Sequence, residues 1–215
     1  MARQRMKHRF GLYVIFGDQF VKPERYEEFA GEISDFADMV QLREKNISAK
    51  EYARRATGIK RILERKKVPL IINDRVDVAL ECGADGVHLG QNDISVSAAR
   101  KILGKRSIIG LSVETRNQAK QAAQLPLDYI SASPVFHTSS KADAANPLGL
   151  NGLRKIKMVA SSVPVIGIGG INEENALEVI KAGASGVAVI SAICGALSWR
   201  FAARKIKETI CKVTR

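Results

Sequence analysis

Charged and polar side chains follow directly after the second of several short apolar runs. There the chain continues Gln41-Leu42-Arg43-Glu44-Lys45. Because alternate side chains of an extended segment point the same way, Gln41, Arg43 and Lys45 share one side. An arginine forks onto phosphate oxygens and a lysine adds a mobile charge, so this trio suits a polyanion. The alternative interpretation is an ordinary solvated basic loop.

Two carboxylates occupy equivalent positions after the next two apolar runs. Asp74 follows the third run in Asn73-Asp74-Arg75, and Asp93 follows the fourth. Neighbouring strands lie about 5 Å apart, so the two acids would emerge side by side. Mg²⁺ is usually held by few carboxylates, with phosphate oxygens and water completing its shell. The pair therefore predicts a Mg²⁺ site beside a diphosphate. Alternatively, Asp74 caps a helix and Asp93 belongs to a turn.

Hydroxyl groups and glycines follow the later apolar runs. Ser112 can donate a hydrogen bond to a phosphate oxygen, and residues 131–141 form a long loop of the kind that often closes over a site. The segment Gly167-Ile168-Gly169-Gly170 lets backbone N–H groups approach a phosphate closely. His88 lies inside a predicted strand, where we expect a packed, hydrogen-bonded histidine without a chemical role.

These residues need elements that bring them together. Eight short, mostly apolar runs are typical of strands buried on both faces of a parallel sheet; they span residues 12–16, 39–42, 70–73, 86–89, 108–111, 129–132, 164–167 and 186–189. Helical spacing and N-cap residues predict helices between them, among others over residues 48–66, 95–103, 115–123 and 175–181.

Eight β-α units in one short chain favour a (β/α)₈ TIM barrel, with a doubly wound open sheet as the alternative. We assign residues 11–215 to a single barrel domain and residues 1–10 to a basic N-terminal tail. In a barrel, the candidate site residues named above, His88 apart, fall at or beyond the carboxyl ends of strands, where barrel active sites lie.

Composition narrows the set of partners. The 215 residues include 34 basic and 22 acidic ones, a net charge of +12, which suits anionic metabolites as well as nucleic acid. The basic residues are spread along the chain without a nucleic-acid motif, so we expect small-molecule substrates and no nucleic acid. The sequence contains no long apolar run and only three scattered cysteines, which predicts no membrane span and a cytoplasmic protein. A homo-oligomer is left open.

From about Leu12 to Gly195 the chain resembles the thiamine-phosphate synthase family. The resemblance rests on the order and placement of five segments, which are Gln41 to Lys45, Asn73 to Asp77, Ala84 to Asp93, Gly167 to Ile171 and Gly186 to Ile193. It implies a Mg²⁺-dependent transferase. That enzyme joins 4-amino-2-methyl-5-hydroxymethylpyrimidine diphosphate to 4-methyl-5-(2-hydroxyethyl)thiazole phosphate, releasing thiamine monophosphate and pyrophosphate.

The resemblance also assigns roles to individual residues. It implies that the diphosphate is held by Arg43, Lys45, Asn73, Ser112 and Lys141, of which Arg43, Lys45, Ser112 and Lys141 would act catalytically. Gln41 and Asn73 would lie near the pyrimidine ring, and Asp74 and Asp93 would bind Mg²⁺. The thiazole phosphate would be cradled by Thr138, Ser140, Gly170, Ile190 and Ser191.

Three segments depart from the family pattern. Ser131 and Ser133 stand where the family commonly has glycines, so we expect ordinary backbone geometry there. Ser140 replaces a threonine and keeps its hydroxyl, and Gly17-Asp18 replaces a Thr-Asp pair.

Three other functions remain open at this point. A thiazole tautomerase-like isomerase of the same family would need an acid or base, for which His137 is the candidate. The others are a different phosphate-sugar barrel enzyme and a nucleic-acid-binding protein.

Overall fold

The computed structural model describes residues 10–140 and 145–212. Eight parallel strands close into a barrel in which each strand pairs with its sequence neighbours and β8 pairs with β1. The strands are β1 (Leu12–Phe16), β2 (Met39–Leu42), β3 (Leu70–Asn73), β4 (Gly86–Leu89), β5 (Ile108–Val113), β6 (Tyr129–Ala132), β7 (Val165–Ile168) and β8 (Gly186–Val189). The TIM-barrel prediction and all eight predicted strands are confirmed.

Helices surround the barrel and carry their apolar faces inward. Over the described residues they are α1 (Tyr26–Ile33), α2 (Ala49–Arg65), α3 (Val76–Glu81), α4 (Val96–Leu103), α5 (Arg116–Ala122), α6 (Gly149–Val159), α7 (Ala176–Lys181), α8 (Ser191–Cys194) and α9 (Trp199–Cys211). Ser48, Ser95 and Thr115 accept N-cap hydrogen bonds, as their positions predicted. None of these helices is long and apolar enough to cross a membrane.

The apolar core has two parts, one on each side of the barrel wall. The larger part packs the outer faces of the strands against the helices. The smaller part fills the barrel interior with Phe10, Tyr13, Ile15, Met39, Ile71, Ile108, Tyr129, Ile166 and Ala188. Phe10, the last residue of the predicted tail, is 8% exposed and packs against Tyr129, so it belongs to the interior packing. The rest of the predicted tail lies outside the described residues.

Alternation along the strands determines which side chains line the upper interior. Inward positions one step above the apolar layer carry Gln41 on β2, Asn73 on β3, Ser112 on β5 and Ser131 on β6. The barrel interior is therefore closed by apolar side chains below and presents polar ones above, toward the carboxyl ends of the strands.

Three acidic residues fasten the opposite end of the barrel. Asp38, Asp85 and Asp128 stand immediately before β2, β4 and β6. Each accepts a hydrogen bond from a backbone N–H at the start of the neighbouring odd-numbered strand. The donor is the first residue of that strand for Asp38 and Asp85, and the second residue for Asp128. Each also pairs with a basic side chain of a surrounding helix. Asp128, for example, accepts from Ile109 N at 2.9 Å and from Arg100 Nη2 at 2.6 Å.

We predict that Asp128→Asn lowers the free energy of unfolding by about 1.5–3 kcal/mol, the usual cost of losing hydrogen bonds to a charged group. Urea denaturation measures the effect. Glu178→Gln, which removes only an exposed pair with Lys181, is the control and should leave stability unchanged. Equal midpoints for Asp128→Asn and the wild type would refute the proposed fastening.

Candidate active site

A cavity of about 540 Å³ opens at the carboxyl ends of the strands. It brings together residues from several parts of the sequence that were predicted to act together. The predicted residues among those that line it are Gln41, Arg43, Lys45, Asn73, Asp74, Asp93, Ser112, Ser140 and Ile190.

A second, smaller cavity of about 60 Å³ adjoins the first. Ser140 and Ile190 line both cavities, and the predicted residues Thr138, Gly170 and Ser191 line the smaller one. The candidate diphosphate and thiazole-phosphate residues thus fall into two adjacent compartments. Lys141 lies outside the described residues.

The segment after β2 divides its side chains between the cavity and the protein interior. Arg43 and Lys45 line the cavity, as alternation predicted. Glu44 points the other way, and its fully buried carboxylate accepts from Tyr26 Oη at 2.5 Å and from Arg55 Nη1 at 3.1 Å. Desolvation by burial raises the pKa of Glu44, while these two hydrogen bonds oppose the rise. Glu44 therefore anchors the segment that presents the two cations.

Asp74 and Asp93 meet at the cavity wall. Lys45 Nζ donates to Asp74 Oδ2 at 2.7 Å, and the Gly90 N–H donates to Asp93 Oδ2 at 2.6 Å. Desolvation raises the pKa of Asp93, the Gly90 hydrogen bond opposes this rise, and the adjacent Asp74 raises the pKa further. Asp74 also adopts a φ of 61°, in the left-handed region that residues other than glycine seldom occupy.

This donor set fits a Mg²⁺ ion. Two neighbouring carboxylates place like charges together, and an oxygen-binding cation would relieve their repulsion. No group of three or more His, Cys, Asp or Glu forms a metal cluster in the described ranges. The remaining ligands would have to come from a substrate and water, as is usual for Mg²⁺ at phosphate-binding sites.

The turn after β7 requires glycine at two successive positions. Gly169 and Gly170 have φ values of 101° and 63°. A Cβ at Gly169 would collide with Pro134, and one at Gly170 would collide with Phe136 and the His137 carbonyl. This turn therefore brings bare backbone to the edge of the smaller cavity, in the position where barrels commonly bind phosphate.

The two serines that stand where the family commonly has glycines do not need the conformational freedom of glycine. Neither Ser131 nor Ser133 has a positive φ, and the Ser133–Pro134 peptide bond is cis. Ser131 is buried and lines the larger cavity, while Ser133 lines the smaller one. Their side chains therefore contribute to the shape of this particular site.

Several lining residues were not predicted from the sequence. Tyr13, Gln91, Glu114 and Gln118 also line the larger cavity. Tyr13 sits in an apolar strand and gave no signal, whereas Gln91 lies within a segment that sequence analysis had singled out.

His88 is buried and hydrogen-bonded through both ring nitrogens, as expected of a packed histidine. Desolvation lowers its pKa to about 4, so the ring is neutral near pH 7. It nevertheless borders the cavity, a placement that the sequence analysis did not predict.

His137, the residue that an isomerase would need, is exposed and lines neither cavity.

Comparison with known proteins agrees with this geometry. A family model described as thiamine monophosphate synthase matches residues 12–193. The chain is 43% identical over 201 residues to a thiamine-phosphate synthase from Albidiferax ferrireducens, covering 93% of this chain and 91% of that protein. It is also 43% identical to a thiamine-phosphate synthase from Moorella thermoacetica, covering 85% and 86% of the two chains.

Solved structures give the same relationship. The chain superimposes on a thiamine phosphate pyrophosphorylase from Pyrococcus furiosus with a TM-score of 0.86 and 36% identity, covering 97% of this chain and 98% of the other. A 3-hexulose-6-phosphate synthase, at 20% identity and a TM-score of 0.73, shares the barrel fold. By the family match along most of its length and its identity to these relatives, the chain belongs to the thiamine monophosphate synthase family.

Proposed function

We propose that this protein is a thiamine-phosphate synthase, a transferase that acts in thiamine biosynthesis. It joins the pyrimidine diphosphate to the thiazole phosphate and releases pyrophosphate. One observation carries the proposal: a cation-lined cavity with paired carboxylates adjoins a smaller cavity with a glycine turn. Two compartments of this kind suit one substrate with a diphosphate and a second with a phosphate. The cytoplasmic location stays a prediction.

The reaction displaces a leaving group at the methylene carbon of the pyrimidine. The bond from this carbon to the bridging diphosphate oxygen breaks, and its electron pair leaves with pyrophosphate. The electron-rich aminopyrimidine stabilises the cationic methylene, and the lone pair of the thiazole nitrogen then forms the new C–N bond. No proton has to be removed from the nucleophile, so the reaction requires no general base.

The side chains of the larger cavity stabilise the departing diphosphate. Arg43 and Lys45, together with Lys141 from the sequence-based assignment, compensate the negative charge that develops on it, and Ser112 donates a hydrogen bond. Asn73 and Gln41 hold the pyrimidine end. Charged donors placed in advance of the reaction do not need to reorganise when the bond breaks.

The smaller cavity positions the nucleophile. The hydroxyls of Thr138 and Ser140 and the backbone at Gly170, Ile190 and Ser191 would hold the thiazole phosphate. Anchoring the phosphate directs the thiazole nitrogen toward the neighbouring compartment, where the methylene carbon lies. Proximity of this kind lowers the entropic part of the barrier.

Asp74 and Asp93 would hold Mg²⁺, which, when bound, neutralises charge on the diphosphate oxygens. Lys45 Nζ already pairs with Asp74 Oδ2, so its ammonium lies beside one of the two carboxylates that would hold the ion. The carboxylates, the lysine and the diphosphate would then alternate in charge.

Mixing both phosphorylated substrates with Mg²⁺ should yield thiamine monophosphate and pyrophosphate in equal amounts. A coupled pyrophosphate assay and chromatography of the product measure them. The tautomerase-like alternative would instead convert a thiazole phosphate by itself and release no pyrophosphate. Conversion of the thiazole alone, with no pyrophosphate from the mixture, would overturn the proposal.

Lys141→Ala should lower kcat by about 10²-fold or more, the usual effect of removing one donor that stabilises developing charge. Steady-state kinetics under saturating substrates gives this value. Lys155→Ala, which removes an exposed lysine of α6, is the matched control and should retain full activity. A near-normal kcat for Lys141→Ala would exclude its assigned role.

Asp93→Asn should weaken Mg²⁺ binding in the presence of inorganic pyrophosphate by at least about tenfold, because the ion loses one of its two protein carboxylates. Isothermal titration measures the affinity, and EDTA should abolish turnover of the wild type. Asp77→Asn, in which an exposed carboxylate paired with Arg75 is removed, serves as the control. Unchanged Mg²⁺ affinity in Asp93→Asn, or full turnover without metal, would contradict the metal assignment.

A further inference from the structure

A chain of hydrogen bonds crosses the barrel interior beneath the larger cavity, and the displacement described above does not use it. Gln41 Nε2 donates to Tyr13 Oη, which lies 3.0 Å from Tyr129 Oη. Tyr129 Oη lies 2.9 Å from His88 Nδ1, and His88 Nε2 lies 2.9 Å from Ser112 Oγ. Tyr129 is fully buried and does not line the cavity, whereas the other four residues do.

The donors and acceptors in this chain can be ordered because each hydroxyl has one proton. Tyr13 accepts from the Gln41 amide, and the acceptor within reach of its own proton is Tyr129 Oη, so we infer that Tyr13 donates to Tyr129 and Tyr129 donates to His88 Nδ1. A neutral imidazole with an acceptor at Nδ1 carries its proton on Nε2. His88 then donates to Ser112, and the proton of Ser112 is left to point elsewhere.

The surroundings favour this neutral, ordered arrangement. Burial raises the pKa of both Tyr13 and Tyr129, so both keep their protons. The rings of His88 and Tyr129 stack with centroids 5.4 Å apart. On the neighbouring strand β5, a Cβ at Gly110 would collide with the Tyr129 ring and with His88 Nδ1. The absence of a side chain at Gly110 therefore leaves room for the contact between Tyr129 and His88.

Ser131 adds a second, weaker partner at the end of the chain. Its Oγ lies 3.3 Å from His88 Nε2 and 3.4 Å from Ser112 Oγ, both longer than the 2.9 Å bond between His88 and Ser112. When no anion is bound, the Ser112 hydroxyl can donate its hydrogen bond to Ser131 Oγ. A charged phosphate oxygen is the stronger acceptor and would draw the proton into the cavity.

We propose that Tyr129 and His88 are positioning residues, which hold the Ser112 hydroxyl as a hydrogen-bond donor aimed at the departing diphosphate. The last step rests on the proposed function, since it needs the diphosphate in the larger cavity. Without the hydrogen bond from His88, the Ser112 hydroxyl could equally point its lone pairs at the anion, and those lone pairs would repel the anion. Setting the donor in advance avoids reorganisation during bond breaking.

The tautomer of His88 tests the order of the chain without any substrate. In protein labelled with ¹⁵N-histidine, we expect the His88 ring to carry its proton on Nε2 and none on Nδ1. The protein has three histidines, and the signals that vanish in His88→Gln belong to His88. Should that variant not fold, contacts to Tyr129 protons in the wild-type spectrum provide the assignment. A proton on Nδ1 would overturn the proposal.

A double-mutant cycle tests whether Tyr129 acts through Ser112. We expect Ser112→Ala to lower kcat by about 10²-fold. Tyr129→Phe should lower kcat by about tenfold, with KM for both substrates changed by less than about twofold. In the Ser112→Ala background, Tyr129→Phe should cause no further loss, because the group it positions is already absent.

Tyr52→Phe is the matched control. It removes another buried tyrosine hydroxyl, which donates to the Leu42 carbonyl at 2.6 Å and is not part of the hydrogen-bond chain from Gln41 to Ser112. Whatever loss Tyr52→Phe causes should persist unchanged in the Ser112→Ala background, and the His88 spectrum should stay as in the wild type.

The outcomes separate this inference from the proposed function. If Tyr129→Phe lowers kcat equally with and without Ser112, Tyr129 acts independently and the inference fails, although the synthase activity stands. If the wild type forms no product, the proposed function fails, and the tautomer of His88 still decides the order of the chain.

Discussion

Closure of the barrel forces charges of both signs into one small opening. Lys45, Asp74 and Asp93 come from three successive β-α units, yet the lysine bonds to one carboxylate and the second carboxylate lines the same cavity. Burial and the neighbouring Asp74 both raise the pKa of Asp93, and the nearby cation of Lys45 opposes the rise. The arrangement is unfavourable for stability alone, and the proposed diphosphate and Mg²⁺ would put it to use in the same opening.

The rest of the molecule holds these charges in place. The apolar layer inside the barrel fixes the strands, and the acids at the opposite end fasten the strand beginnings to the helices. Behind the cations, the buried carboxylate of Glu44 accepts hydrogen bonds from Tyr26 and Arg55. These bonds keep Arg43 and Lys45 facing the cavity. The partly buried ion pairs at the strand beginnings and behind β2 therefore support the open end, where the charges of the candidate site gather.

Much of this could be predicted from the sequence because the signals are local. The strands are short apolar runs, the caps at Ser48 and Thr115 are nearest-neighbour effects, and alternation after β2 separates Arg43 from Glu44. The placement of the site residues follows from one topological fact, that parallel strands of a barrel end at the same opening. The grouping of the predicted residues around two adjoining cavities is what that topology requires.

The interior hydrogen-bond chain could not be predicted in this way. Tyr13 and Tyr129 occupy apolar strands, and their contact depends on the register between strands far apart in sequence. His88 has the sequence signature of a core residue, which it is, but its contact with Ser112 depends on pairing across β4 and β5. The space that Gly110 leaves for His88 and Tyr129 is likewise visible only in three dimensions.

A crystal structure with Mn²⁺, as a detectable stand-in for Mg²⁺, and inorganic pyrophosphate tests the central arrangement most directly. We predict an anomalous peak within about 2.0–2.3 Å of a carboxylate oxygen of both Asp74 and Asp93, with pyrophosphate extending from the ion toward Arg43 and Lys45. A metal bound elsewhere, or pyrophosphate bound away from this carboxylate pair, would contradict the account.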